Sequence, residues 1–212
     1  MMRNFNNILA QRQLSCSGIV MGASINCDDP LAPGIRKRLI GFNLEDIEAI
    51  TYNTINPNVV EAITLKEGKQ GWVFEGVKQS ITPDVSLVPQ TTYAGWRHAV
   101  LLSIFDVSSE QKLNIQGMAN KATVWVVENA NDSSNSDSIF EVYGLDRGLE
   151  AETITRSPVD TESGAAYVVQ LATPDTGGAE VQPAVSWFIT DYATTLAAVE
   201  TLLTPAPAPP TV

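Results

Sequence analysis

A chain of 212 residues, 44% hydrophobic and only 17% charged, carries enough apolar side chain for one good core, which excludes wholesale disorder and favours a single domain with loose ends. The formal net charge of −11 is spread along the chain and repels nucleic-acid phosphates, while charge this sparse leaves much of the surface uncharged or turned against other subunits. No stretch approaches the roughly 20 apolar residues of a membrane span, so no membrane partner is expected.

Residues 1–15 are rich in Asn, Gln and Arg, with Phe5, Ile8, Leu9 and Leu14 scattered among them, and read as a short helix or an extended arm able to dock on a neighbour. They lack the unbroken apolar core of a signal peptide. Leu14 also stands one place too close to Cys16 for a lipoprotein cleavage box, so export by that route is not expected. Residues 16–23 are small and apolar, and Asp28-Asp29-Pro30 with Pro33-Gly34 marks a turn-rich connection. Cys16 and Cys27 have neither metal-ligand spacing nor extra histidines, and are expected as reduced thiols.

Residues 38–42 read as a strand. The cluster Arg36-Lys37-Arg38 beside it is too narrow for a nucleic-acid footprint and fits a solvated edge or a salt-bridge patch between subunits. Residues 47–52 alternate weakly and residues 59–65 alternate better, as strands do. After the turn around Gly68 and Gly71, residues 72–77 are expected to return as the second arm of a hairpin, with Trp72 and Phe74 on one face.

Residues 80–92 hold Pro83 and Pro89, which cannot donate to a ladder, so they form a loop or an edge segment suited to pairing with another subunit. The near-continuous apolar run 96–107 reads as a central strand buried on both faces. Ser108 and Gln111 have the spacing of a reciprocal capping box and predict a helix over 109–118. Residues 123–127 resume β structure, 129–137 are too polar to pack, and 139–143 form another strand leading to a tight corner framed by Gly144 and Gly148. Strands are then expected over 150–156, 166–172 and 184–190, with loops at 157–164 and 174–183 and a helix over 192–203. The predicted fold is mainly β, a β-sandwich or β-barrel with one internal α-helix and a C-terminal helix. It occupies 16–203 as a single domain, with a flexible Pro-rich tail over 204–212.

The chemistry-bearing residues do not assemble into a catalytic set. His98 is the only histidine and sits inside an apolar strand, where a satisfied core or interface histidine is the ordinary finding. A Ser-His-Asp arrangement or a zinc site would have to use it, without any ligand spacing. Asp28-Asp29 and the carboxylates of 132–137 lack the Gly turn and distal Glu of a calcium loop. Glu150 and Glu152 alternate on one strand, but nothing else suggests a sugar cleft. Gly144-Leu-Asp-Arg-Gly148 lacks the Lys-Ser/Thr pair of a phosphate loop. Trp72, Trp96, Trp125 and Trp187 fall in separate predicted strands, as core or interface anchors do, and not as a base-stacking platform. The expectation is therefore no enzyme, no catalytic or metal-binding residue and no cofactor.

The order of strand, capped helix, strand, polar loop, strand and Gly-framed corner resembles bacteriophage tail-tube and neck-ring proteins, in particular those of crAss-like and other phages of Bacteroidetes. The residues that carry the resemblance are Phe140-Glu-Val-Tyr-Gly-Leu-Asp-Arg-Gly-Leu149, Asp28-Asp-Pro-Leu-Ala-Pro-Gly34 and Arg38-Leu-Ile-Gly-Phe-Asn43, within a likeness that spans about two thirds of the chain. It implies a subunit of a hexameric or dodecameric ring around a DNA-conducting channel, made in the host cytoplasm and carried in the virion tail. Its partners would be further copies and other tail or connector proteins, with DNA passing an acidic lumen without sticking. The Pro-rich C-terminus departs from any tube-protein pattern. A monomeric β-sandwich that binds carbohydrate or acts as an adhesin is the other class, and it calls for a concave aromatic site.

Overall fold

The computed structural model describes residues 34–76, 80–89, 94–130, 137–175 and 178–207. Expectations for the arm over 1–15, for Cys16 and Cys27, for Asp28-Asp29 and for most of the 129–137 loop lie outside these residues. The strands are β1 (Ile35–Asn43), β2 (Ile47–Tyr52), β3 (Val59–Leu65), β4 (Trp72–Glu75), β5 (Ile81–Pro89), β6 (Ala94–Ile104), β7 (Thr123–Asn129), β8 (Phe140–Tyr143), β9 (Glu150–Thr155), β10 (Tyr167–Ala172) and β11 (Val185–Trp187). The helices are α1 (Ser109–Asn120) and α2 (Tyr192–Thr201). Among the described residues a seven-stranded sheet has the order β2-β3-β11-β8-β7-β1-β4, and a four-stranded sheet the order β5-β6-β10-β9. Among the described residues the only parallel pair is β3 with β11. Both sheets are open, so of the two architectures expected the chain adopts the sandwich.

Strand alternation explains why the large sheet lies in the middle. Along β7, Val124 and Val126 pack on one side with Ile40, Phe42, Phe140, Val142 and Trp187, a face that α2 covers with Val199. Trp125 and Val127 point the other way, into a core shared with Val100, Leu102, Val169 and Leu171 of the small sheet and with Ile115 and Met118 of α1. A strand with apolar residues at every position is thus required, because both of its faces are buried. The layers run α2, large sheet, then small sheet with α1.

Three local expectations are corrected. β4 is no hairpin partner of β3: it pairs with β1, from Arg38 opposite Glu75 to Gly41 opposite Trp72, while β3 lies between β2 and β11. The intervening turn is held instead by the C-terminal segment, where Gly71 N donates to Leu202 O at 2.6 Å, Gly68 N to Ala206 O at 3.0 Å and Ala206 N to Lys69 O at 3.0 Å. Those bonds consume the groups a tight hairpin would have used. β6 is central in its sheet but not fully buried on both faces: His98, Val100, Leu102 and Ile104 point inward, while on the other face Ala99 is buried and Arg97, Leu101 and Ser103 are only half-buried.

The capping box closes on one side. Ser108 Oγ accepts from Gln111 N at 3.3 Å, but Ser108 N donates to Asp106 Oδ1 at 2.9 Å, while Gln111 Oε1 accepts from Asn114 at 3.2 Å. A nearby carboxylate outcompetes the neutral amide for that donor. α2 is capped by Asp191, whose Oδ1 accepts from Thr194 N at 2.7 Å, and this hydrogen bond holds the carboxyl below its ordinary range.

Candidate functional site

His98 lies 1% exposed on β6, facing the large sheet. Its Nδ1 accepts from Gly144 N at 3.1 Å and its Nε2 lies 3.0 Å from Gln182 O, a carbonyl that can only accept. The ring is therefore the neutral Nε2-protonated tautomer, with both nitrogens engaged by backbone. Such a ring ties two loops together and has no nitrogen left for a substrate. Tyr143 meets its edge at a centroid distance of 5.7 Å, and the Tyr143 hydroxyl donates to Glu141 Oε2 at 2.8 Å. Burial first, and the Glu141 carboxylate second, push that phenol far above its ordinary pKa, so it stays neutral.

The corner after β8 is built on the same principle. Gly144 and Gly148 take φ of +75° and +79°, and Gly148 N donates to Gly144 O at 3.0 Å. A Cβ on Gly144 would stand 2.8 Å from Leu149 Cγ, and one on Gly148 2.7 Å from Ala122 Cβ. Two backbone N–H groups of the corner, Asp146 and Arg147, donate at 2.9 Å each to the two carboxylate oxygens of Glu180, which is 1% exposed. Glu180 is in turn fixed by backbone exchange with Trp96, at 2.9 and 2.8 Å. This nest of N–H groups therefore holds an internal carboxylate where a ligand anion would otherwise bind.

Arg36, Arg38 and Glu152 are also engaged within the chain. Arg36 Nε and Arg38 Nε stand 3.3 and 3.7 Å from the buried carboxylate of Glu128, Arg38 also reaches Glu200 at 3.1 Å, and the Tyr192 hydroxyl donates to Glu128 at 2.7 Å. Burial and that bond raise the Tyr192 pKa. Arg36 and Arg38 thus join β1, β7 and α2 within one chain, where a patch between subunits or a solvated edge was expected. Glu152 accepts from Arg97 at 2.8 Å and from Gln170 at 2.6 Å on the outer face of the small sheet, which separates it from any paired role with Glu150. Among the described residues no group of three or more His, Cys, Asp or Glu side chains could hold a metal ion, and no helix is long and apolar enough to cross a membrane.

What the surface offers is apolar. Trp125 and Trp187 are buried and Trp96 is half-buried, but Trp72 is 60% exposed and Leu113 on α1 is 68% exposed. They flank a groove between β4 and α1 that Phe74, Gly117 and Met118 also line and Trp125 floors. Val73 and Phe105, also exposed, line a second groove beside β4. Alternation in the sequence paired Trp72 with Phe74, yet it carried no sign that β4 would end a sheet and leave Trp72 outside. Glu180 and Gln182, in the loop before β11, were missed altogether, since nothing local links them to a corner more than thirty residues earlier.

No protein-family model, curated protein or solved structure matches the chain.

Proposed function

We propose that this chain is a structural subunit of a bacteriophage tail or its connector, which forms a ring or tube segment around the DNA-conducting channel through subunit contacts. The observation that carries this reading is where the reactive and apolar groups lie. The one histidine and the buried carboxylates are bound to the chain's own backbone and cations, whereas Trp72 and Leu113 stand exposed on either side of one groove. A protein that works by contact needs rigid internal ties and exposed apolar anchors. The net charge of −11 suits a lumen through which DNA slides without adhering. A carbohydrate-binding or adhesin-like monomer fits less well, because a single exposed tryptophan does not make an aromatic cleft.

Negative-stain electron microscopy combined with light scattering on concentrated protein separates the two. The tail reading predicts closed rings of hexameric or dodecameric mass. A monodisperse monomer at high concentration that retains on a glycan surface would establish the binding-module reading in its place.

A further inference from the structure

Sheet edges invite pairing with other chains, and folded proteins block them with bulges, prolines or charges. Three of the four edges among the described residues are blocked in this way. β2 carries register shifts at both ends of its pairing with β3. β9 bulges where Gln170 and Leu171 pair with Thr153 and Ala151, leaving Glu152 as an extra charged residue. β5 uses proline, and its geometry can be worked out. Successive residues of an antiparallel strand turn their N–H and C=O to opposite sides. Ser103 N donates to Ser80 O at 2.9 Å, so the even-numbered residues of β5 face β6 and the odd-numbered ones face outward. Pro83 and Pro89 therefore sit at outward positions, where they spare the ladder and remove donors from the free edge.

β4 has neither a bulge nor a proline, and its one charge, Glu75, stands at its end. Its pairing with β1 is regular, and Trp72 and Val73 are 60% and 40% exposed. The same alternation fixes its free groups. Leu44 N donates to Ala122 O at 2.9 Å, so even-numbered residues of β1 face β7 and odd-numbered ones face β4. Leu39 and Gly41 pair with Phe74 and Trp72, so those two are tied to β1 while Val73 and Glu75 turn both backbone groups outward.

We infer that β4 is the site of sheet extension, and that its occupant is β4 of a second copy in antiparallel, two-fold arrangement. A second copy is the partner because β4 against β4 is the pairing of described edges in which neither strand carries a bulge or a proline. The register follows from charge and from the bonds already made. With Phe74 opposite Phe74 on the two-fold axis, Val73 and Glu75 of each copy exchange both hydrogen bonds. A shift one way sets the two Glu75 carboxylates directly opposite, which is repulsive. A shift the other way needs Gly71 N, which already donates to Leu202 O at 2.6 Å. This pairing does not depend on the tail reading, since it joins two copies whether each is free or already part of a ring.

The test is Val73→Pro, read by sedimentation equilibrium with circular dichroism to verify the fold. The substitution removes an outward N–H and leaves the β1 ladder intact, so the mass of the native species halves relative to the unaltered protein. Equal masses for the two proteins, both folded, overturn the pairing. Amide exchange on the unaltered protein decides independently, including where the variant does not fold. The Val73 and Glu75 amides are protected at high concentration and lose that protection on dilution, whereas exchange at the unprotected rate at all concentrations overturns the inference.

Discussion

Glu180→Ala lowers the unfolding free energy by about 3–5 kcal/mol, because it strips a charged acceptor from two partly buried backbone donors at once, and each such bond contributes about 1.5–3 kcal/mol. The donors are Asp146 N and Arg147 N, both at 2.9 Å, on a corner already committed to positive φ at Gly144 and Gly148. Glu180→Gln recovers less than half of the loss, since the amide keeps one acceptor oxygen and turns an N–H toward the other donor. Urea denaturation gives the magnitude, and amide exchange gives the place: protection falls first at Asp146 and Arg147. A loss below about 1 kcal/mol for the alanine variant would mean that the corner holds its shape without the carboxylate.

Trp125→Ala costs about 3–5 kcal/mol, the usual range for emptying a large aromatic site. The indole is 1% exposed, donates from Nε1 to Thr123 Oγ1 at 2.9 Å and packs against Phe74 at a centroid distance of 5.0 Å. It also lies over Gly41, where a Cβ would come within 2.7 Å of the ring. Gly41→Ala is therefore destabilising by about 1–3 kcal/mol through overpacking against a ring that has no room to yield. In the Trp125→Ala background the same change is close to neutral. The coupling between the two exceeds about 1 kcal/mol in chemical denaturation of the four proteins, and strict additivity would show that the close approach is relieved some other way.

Much of the fold was legible because its signals are local. The β-branched run of β7, the Ser108 cap and the Gly144 and Gly148 corner each announce themselves within a few residues, and so did His98 as a core histidine. What failed was pairing over distance. The glycines between β3 and β4 read as a hairpin turn, yet Leu202 and Ala206, far along the chain, take up their backbone groups. The continuous apolar run of β6 suggested burial on two faces, but a half-open sheet surface tolerates Leu101 beside Arg97. Arg36 and Arg38 stood out in the sequence as a basic cluster, but only the fold could bring Glu128 and Glu200 to them.

The exposed groove was hidden in the sequence. Period-two alternation places Trp72 and Phe74 on one face, but the sequence holds no sign of where β4 sits in the sheet order. At the end of the sheet, Phe74 reaches Trp125 and Trp72 does not. The same holds for Pro83 and Pro89, which mark an edge in the sequence while only the register with β6 tells which side of the strand they block.

The central claim, that this chain acts by assembling into a phage tail, is tested most directly by quantitative mass spectrometry of purified phage particles from a host expressing it. The account predicts its peptides in intact particles at a copy number that is a hexameric or dodecameric multiple, with immunogold label on the tail or its junction with the head. Its complete absence from mature particles, while it accumulates in the infected cell, would contradict the account.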